Sequence, residues 1–194
     1  MKCIIGRKLG MSTVYRENPS EKTVKAIVVT VLDCTPNVVG LVRTDERDGY
    51  RAVQLRLQSD KGKVVSSCEF RFDGQDVDVK AGDPVDVSVF SSGDKVAVSG
   101  VSKAKGFQGV VKRHGFSGSP RTHGHRHDLR APGSIGSAFP QHVFKGRKMA
   151  GRMGGVRSTV HGLTVVDVDV EKNLLLVSGS IPGVPGRTVF VSVL

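Results

Sequence analysis

The two flanks of the chain look like β structure. "YRAVQLRLQ" at 50–58 sets Val53, Leu55 and Leu57 against Ala52, Gln54 and Arg56. A period of two marks a half-buried β-strand, because successive side chains point to opposite faces of a sheet. "DVDVK", "PVDVSVF" and "DKVAVSG" between 76 and 100 repeat the pattern, and "TVKAIVVTVL" at 23–32 is rich in Val and Ile. Turn signals separate these runs: "DGY", "FDGQD", "KAGDP" and "SSGDK". Further along come "STVHGLTVVDVDV", "EKNLLLVSG" and "GRTVFVSVL". Short strands at close spacing predict a mainly β fold, a small antiparallel β-barrel.

The pattern fails in the middle. Between 101 and 158 there is neither a sustained helical stripe nor long alternation, and Pro120, Pro132 and Pro140 interrupt any long element. Eleven of the 24 glycines lie between 101 and 160. A segment this long without periodicity is either functional or disordered. Full disorder would exclude apolar residues, yet Phe107, Phe116, Ile135, Phe139, Val143, Phe144, Met149 and Met153 punctuate it. It reads as an extended arm, disordered alone and ordered on a partner. The strands from 159 to 194 are too few to fold by themselves, since chains below about 40 residues seldom do. The expected organisation is therefore one discontinuous β-barrel domain, 1–100 with 159–194, and an inserted extension at 101–158.

Charge sharpens this division. The whole chain carries +11. Between 101 and 160 twelve basic residues face one acid, Asp128, an excess equal to that of the whole chain; the remainder balances at seventeen against seventeen. A merely solvated face would mix signs. Concentrated positive charge calls for an acidic partner.

The densest part is "PRTHGHRHDLRAPGSIG" at 120–136, where His123, His125 and His127 alternate among Arg121, Arg126 and Arg130. On a regular strand three such imidazoles would share a face and could hold a metal. Gly124 and the flanking prolines oppose a strand, and three guanidiniums repel a divalent cation, so no metal site is expected. "SGDK" at 92–95 matches a four-residue nucleophile motif but sits in a turn, and there is no P-loop, no Ser elbow and no acidic cluster for magnesium. No enzyme and no cofactor are expected. Cys3, Cys34 and Cys68 are odd in number and widely spaced, and read as small apolar residues in a reducing compartment. "MKCIIGRKLGM" lacks the apolar run of a signal peptide, and no stretch has the length of a membrane span, so a cytoplasmic protein is expected.

Nucleic acid fits the arm best. Lys and Arg neutralise phosphates and release counterions, glycine lets backbone N–H groups come close, and aromatic rings stack on splayed bases. The phenylalanines could equally anchor the arm. An irregular arm suits folded RNA better than a regular major groove. The candidate RNA-binding residues are Lys103, Lys105, Lys112, Arg113, His114, Arg121, His123, His125, Arg126, His127, Arg130, Lys145, Arg147, Lys148, Arg152 and Arg157. The competing readings are a metal-dependent nuclease built on the three histidines and a DNA-compacting basic protein.

In order along the chain stand "GRKLGM", "DGYRAVQL", "SKAKGFQGVVKRHGF", "PGSIG", "VFKGRKMAGRMG" and "NLLLVSGSIPG". This series resembles the bacterial large-subunit ribosomal protein L-three family. The resemblance implies a translation-protein-type barrel with an extension reaching through ribosomal RNA toward the peptidyl-transferase centre. It also implies direct binding of large-subunit RNA early in assembly, neighbours including proteins L-fourteen and L-nineteen, no catalytic residues and no homo-oligomer. Three stretches depart from the family pattern: "SAFPQH" is short, "DKGKVVSSCEFRFDG" is abbreviated, and the chain ends at "VSVL" without a basic tail. Gln141, after Pro140, matches poorly the glutamine that is methylated in some relatives, so no modification is expected there.

Overall fold

The computed structural model describes residues 2–18, 23–59, 61–72 and 79–193. In chain order the elements are β1 (Cys3–Asn18), β2 (Thr23–Asp33), β3 (Asn37–Arg43), α1 (Asp45–Asp48), β4 (Ala52–Gln58), β5 (Val64–Arg71), β6 (Pro84–Val85) and β7 (Lys95–Val101). Then come β8 (Phe107–Gln108), α2 (Val110–His114), β9 (Gly151–Arg152), β10 (Arg157–Asp169), β11 (Leu174–Ser178) and β12 (Thr188–Val193). The protein is mainly β. It divides into two compact units, 1–102 with 157–194, and 103–156.

In the first unit six antiparallel strands pair in a cyclic order, β1-β12-β7-β10-β11-β2, with β2 returning to β1. Strands from before residue 102 and after residue 156 thus share one sheet. A second sheet runs β5-β4-β3-β6.

Two cores result from this arrangement. Ile4, Leu32, Val96, Val98, Val165, Leu175, Val177, Val189 and Val191 pack within the cyclic sheet. Cys3, Ile5, Val39, Val53, Leu55, Leu57 and Val85 form the other. Strand β1 serves both: Ile4 turns to one core, Cys3 and Ile5 to the other. A strand buried on two faces shows a continuous apolar run instead of alternation, which is why "CII" carries no period.

Further on, β1 bulges between Lys8 and Gly10, where its register on β2 shifts. Lys8 is buried, and its ammonium donates to the carbonyls of Ile181 and Gly183 at 3.0 and 3.3 Å. Those bonds replace the water lost on burial.

The strands expected at 23–32, 50–58 and 94–100, and the three after residue 157, are β2, β4, β7, β10, β11 and β12. "PVDVSVF" differs. Only Pro84–Val85 is strand, and Val87–Val89 forms a 3-10 turn. Val87 and Phe90, three residues apart, enter the same core, and a 3-10 turn brings such positions to one side. The turn "FDGQD" and strand "DVDVK" fall largely outside the described residues. Cys3 and Cys34 are buried free thiols and Cys68 is half-buried. Burial pushes the first two up to about 12, so they stay protonated and apolar. Among the described residues, no helix is long and apolar enough to cross a membrane.

Candidate RNA interface

The unit 103–156 begins and ends on itself. The Lys105 N–H donates to Met153 O and the Met153 N–H to Gly106 O, both at 2.9 Å. Next to them Phe107 faces Arg152 and Gln108 faces Gly151 in the short β8–β9 pairing. Gly154, at φ 73°, lies so close to Lys103 O that a side chain would strike it. This glycine is required twice, by backbone sign and by space.

A single helical turn comes next. In α2, Val110 is buried, and Gly115 ends the turn at φ 73° with its N–H on Val111 O at 3.0 Å. Arg113 and His114 turn back to one carbonyl, Met149 O, at 2.7 and 3.0 Å. These two candidates are half-buried and tie the segment's two limbs together, a role their charge did not announce.

The histidine stretch is a turn. His123 has φ 59° and Gly124 φ 84°, which breaks the alternation that would bring three imidazoles to one face. The Asp128 N–H donates to His125 O, and the Ala131 N–H to Asp128 O, both at 3.1 Å. His123, His125 and His127 are all exposed, and among the described residues no group of three His, Cys, Asp or Glu could hold a metal ion. "SGDK" is likewise engaged structurally: Ser92 Oγ donates to Val166 O at 2.8 Å and accepts from Arg16 at 3.1 Å.

Lys103, Lys105, Lys112, Arg121, Arg126, Arg130, Lys145, Arg147, Lys148 and Arg152 carry the segment's remaining cationic side chains, most of them exposed. Arg147 donates to Ser134 O. Among the described residues, no ion pair forms within 103–156. The pairs Lys2–Asp94, Arg43–Asp48, Arg43–Glu69, Arg51–Asp45 and Lys172–Asp169 all belong to the other unit. Arg157 belongs there too: its guanidinium stands 5.1 Å from the Phe190 ring centre and 4.0 Å from Cys68 Sγ.

The aromatic side chains divide. Phe107 and Phe139 are each 76% exposed and Phe144 63%. Phe116 is half-buried with its ring tilted against His114, centroids 6.1 Å apart. So three of the four rings are largely exposed, Phe144 with its ring edge-on to His142 at 5.6 Å between centroids. A cleft of about 800 Å³ runs past Phe116, Gly118, His125, Asp128 and Gly133. Charge alone marks Asp128 only as a lone acid. Its place in this cleft required the turn geometry at 123–131, for which Gly124 and the flanking Pro120 and Pro132 gave the only signals.

The sheet unit and this cationic, ring-bearing unit have known counterparts. A family model described as ribosomal protein L3 matches residues 51–173. The large ribosomal subunit protein uL3 of Bacillus cytotoxicus is 44% identical over 98% of this chain and 95% of its own length. Those of Thioalkalivibrio sulfidiphilus and Pseudoalteromonas atlantica are 45% and 42% identical, each over 97% of this chain. At that identity over nearly its whole length, the chain belongs to the ribosomal protein L3 family.

Proposed function

We propose that this chain, a structural constituent of the large ribosomal subunit in the cytoplasm, holds large-subunit ribosomal RNA directly through its basic unit. One observation carries the reading: cationic side chains stand exposed along 103–156 with no ion pair among the described residues. Cations already matched to carboxylates release no counterions on meeting phosphate; unmatched ones do. The exposed rings of Phe107, Phe139 and Phe144 supply stacking faces.

In this reading the cyclic sheet is a translation-protein-type barrel, 1–100 with 159–194, and 101–158 is its RNA-binding extension. The extension is directed toward the peptidyl-transferase centre, the chain joins the subunit early in assembly, and its neighbours include proteins L-fourteen and L-nineteen. The contacts are Lys103, Lys105, Lys112, Arg121, His123, His125, Arg126, His127, Arg130, Lys145, Arg147, Lys148, Arg152 and Arg157. Arg113 and His114 contribute while also shaping the segment. The chain supplies no catalytic group. Sedimentation tests the reading: the protein travels with large subunits through moderate salt. Recovery only in the free soluble pool overturns it.

A further inference from the structure

Asp128 is the one acid between Lys95 and Val166. Arg126 and Arg130 stand two residues away on either side, yet its exposed carboxylate makes no hydrogen bond or ion pair among the described residues. Its backbone is fixed at both ends of the peptide unit, by His125 O and by the Ala131 N–H. Asp128 therefore lines the cleft with its backbone fixed and its carboxylate unengaged.

A carboxylate in a surface that meets phosphates is repulsive unless it faces a donor. An ionised carboxylate only accepts hydrogen bonds, through two oxygens side by side. RNA offers single donors at its 2′-hydroxyls and on adenine, cytosine and uracil. Guanine alone presents two parallel N–H donors on one edge, N1–H and N2–H. That edge is occupied in a base pair, so the guanine must be unpaired, as in the loops and bulges that proteins read by sequence. The cleft of about 800 Å³ has room for a nucleotide, and Asp128 is among the residues that line it.

We propose that this cleft holds an unpaired guanine of the bound RNA, with the Asp128 carboxylate accepting its N1–H and N2–H. The proposal rests on the RNA-binding reading and adds a base identity to it.

The test uses the full chain and three single-stranded RNA hexamers: oligo-adenosine, and the same with one central guanosine or one central inosine. Inosine keeps N1–H and lacks the N2 amine. Binding is measured by fluorescence anisotropy at fixed salt, with magnesium and with EDTA. The wild type binds the guanosine hexamer about tenfold more tightly than the adenosine one, inosine falls between, and EDTA preserves the order. Asp128→Asn erases the order while binding oligo-adenosine at least as well, because a negative charge is gone. Asp128→Glu keeps part of the preference, which separates a lost acceptor from a misfolded variant. Equal affinities for all three hexamers in the wild type overturn the base assignment. So does uniform tightening by Asp128→Asn, or a contribution of Asp128 that disappears with EDTA and ignores the base. Failure of every hexamer to bind at moderate salt overturns the RNA reading itself.

Discussion

Both units are rich in Lys and Arg, but among the described residues only the sheet unit pairs any of them with carboxylates. Around the four-stranded sheet Arg43 bridges Asp48 and Glu69 at 2.7 and 2.9 Å, and Arg71 lies 4.5 Å over the Tyr50 ring. In 103–156 the cations have no such partners among the described residues. Exposed ion pairs stabilise a fold little, so the contrast says less about stability than about availability. The sheet unit commits some of its cations to carboxylates, and the basic unit presents unmatched charge and exposed rings. The largest test of this contrast sets a core residue against a ring. Leu175→Ala removes a fully buried side chain from the cyclic sheet and should lower stability by about 3 kcal/mol in urea denaturation. Phe107→Ala should leave the urea midpoint in place and weaken RNA binding by about tenfold. A comparable midpoint shift in both variants would break the distinction.

Glycines at the same backbone sign sharpen it. Gly154 and Gly162 have φ 73° and 74°. Gly162 stands in β10 with open space where a side chain would go, so Gly162→Ala costs only its conformation, about 1 kcal/mol on the urea midpoint. Gly154→Ala adds a collision with Lys103 O. Its damage should appear locally, as faster hydrogen exchange at the Lys105 and Met153 amides and weaker RNA binding, with the midpoint unchanged. In the free wild-type chain protection across 103–156 should be low outside the paired amides of Lys105 and Met153 and should rise on RNA.

These expectations depend on how far local pattern reaches. β4 was legible because Val53, Leu55 and Leu57 share one buried face, and β2 because Val and Ile crowd it. β1 was not legible: its apolar run serves two cores, and Gly6, Lys8 and Gly10 interrupt the remainder of the strand. β5 was missed because most of its positions are exposed or half-buried, so it has no strong period. The basic segment itself was plain from charge alone, which needs no geometry. What each charge does there was not. Arg113 and His114 meet Met149 O across 35 or more residues of chain, a pairing that no local spacing encodes.

Salt dependence separates individual cations by a smaller effect. Arg126→Gln should reduce the slope of log K against log salt by about 0.7 to 0.9, with no change in stability. Arg157→Gln should also lower the slope and additionally cost about 0.5 to 1 kcal/mol of stability, because its guanidinium packs on Phe190. Equal behaviour of the two would erase the boundary between the units at residue 157.

The smallest effect is the response to acid, and it should belong to the sheet unit. Arg43, and next Tyr50, hold the Glu69 carboxyl below its ordinary value against a burial effect of opposite sign. The Lys2 ammonium and the Ser91 N–H do the same for Asp94. A carboxyl whose folded value is depressed contributes stability above its unfolded value, and that contribution fades as pH falls through the folded one. Stability should therefore decline as pH drops below the ordinary carboxylate range, and added salt should shrink the decline because both groups are solvent-accessible. Glu69→Gln should flatten that acid limb, seen as a smaller change in urea midpoint between neutral and acidic buffer. Lys148→Gln should leave it alone, since Lys148 pairs with no carboxylate among the described residues. Acid sensitivity that tracked Lys148 instead of Glu69 would mean that the basic unit, too, commits its charge to the fold.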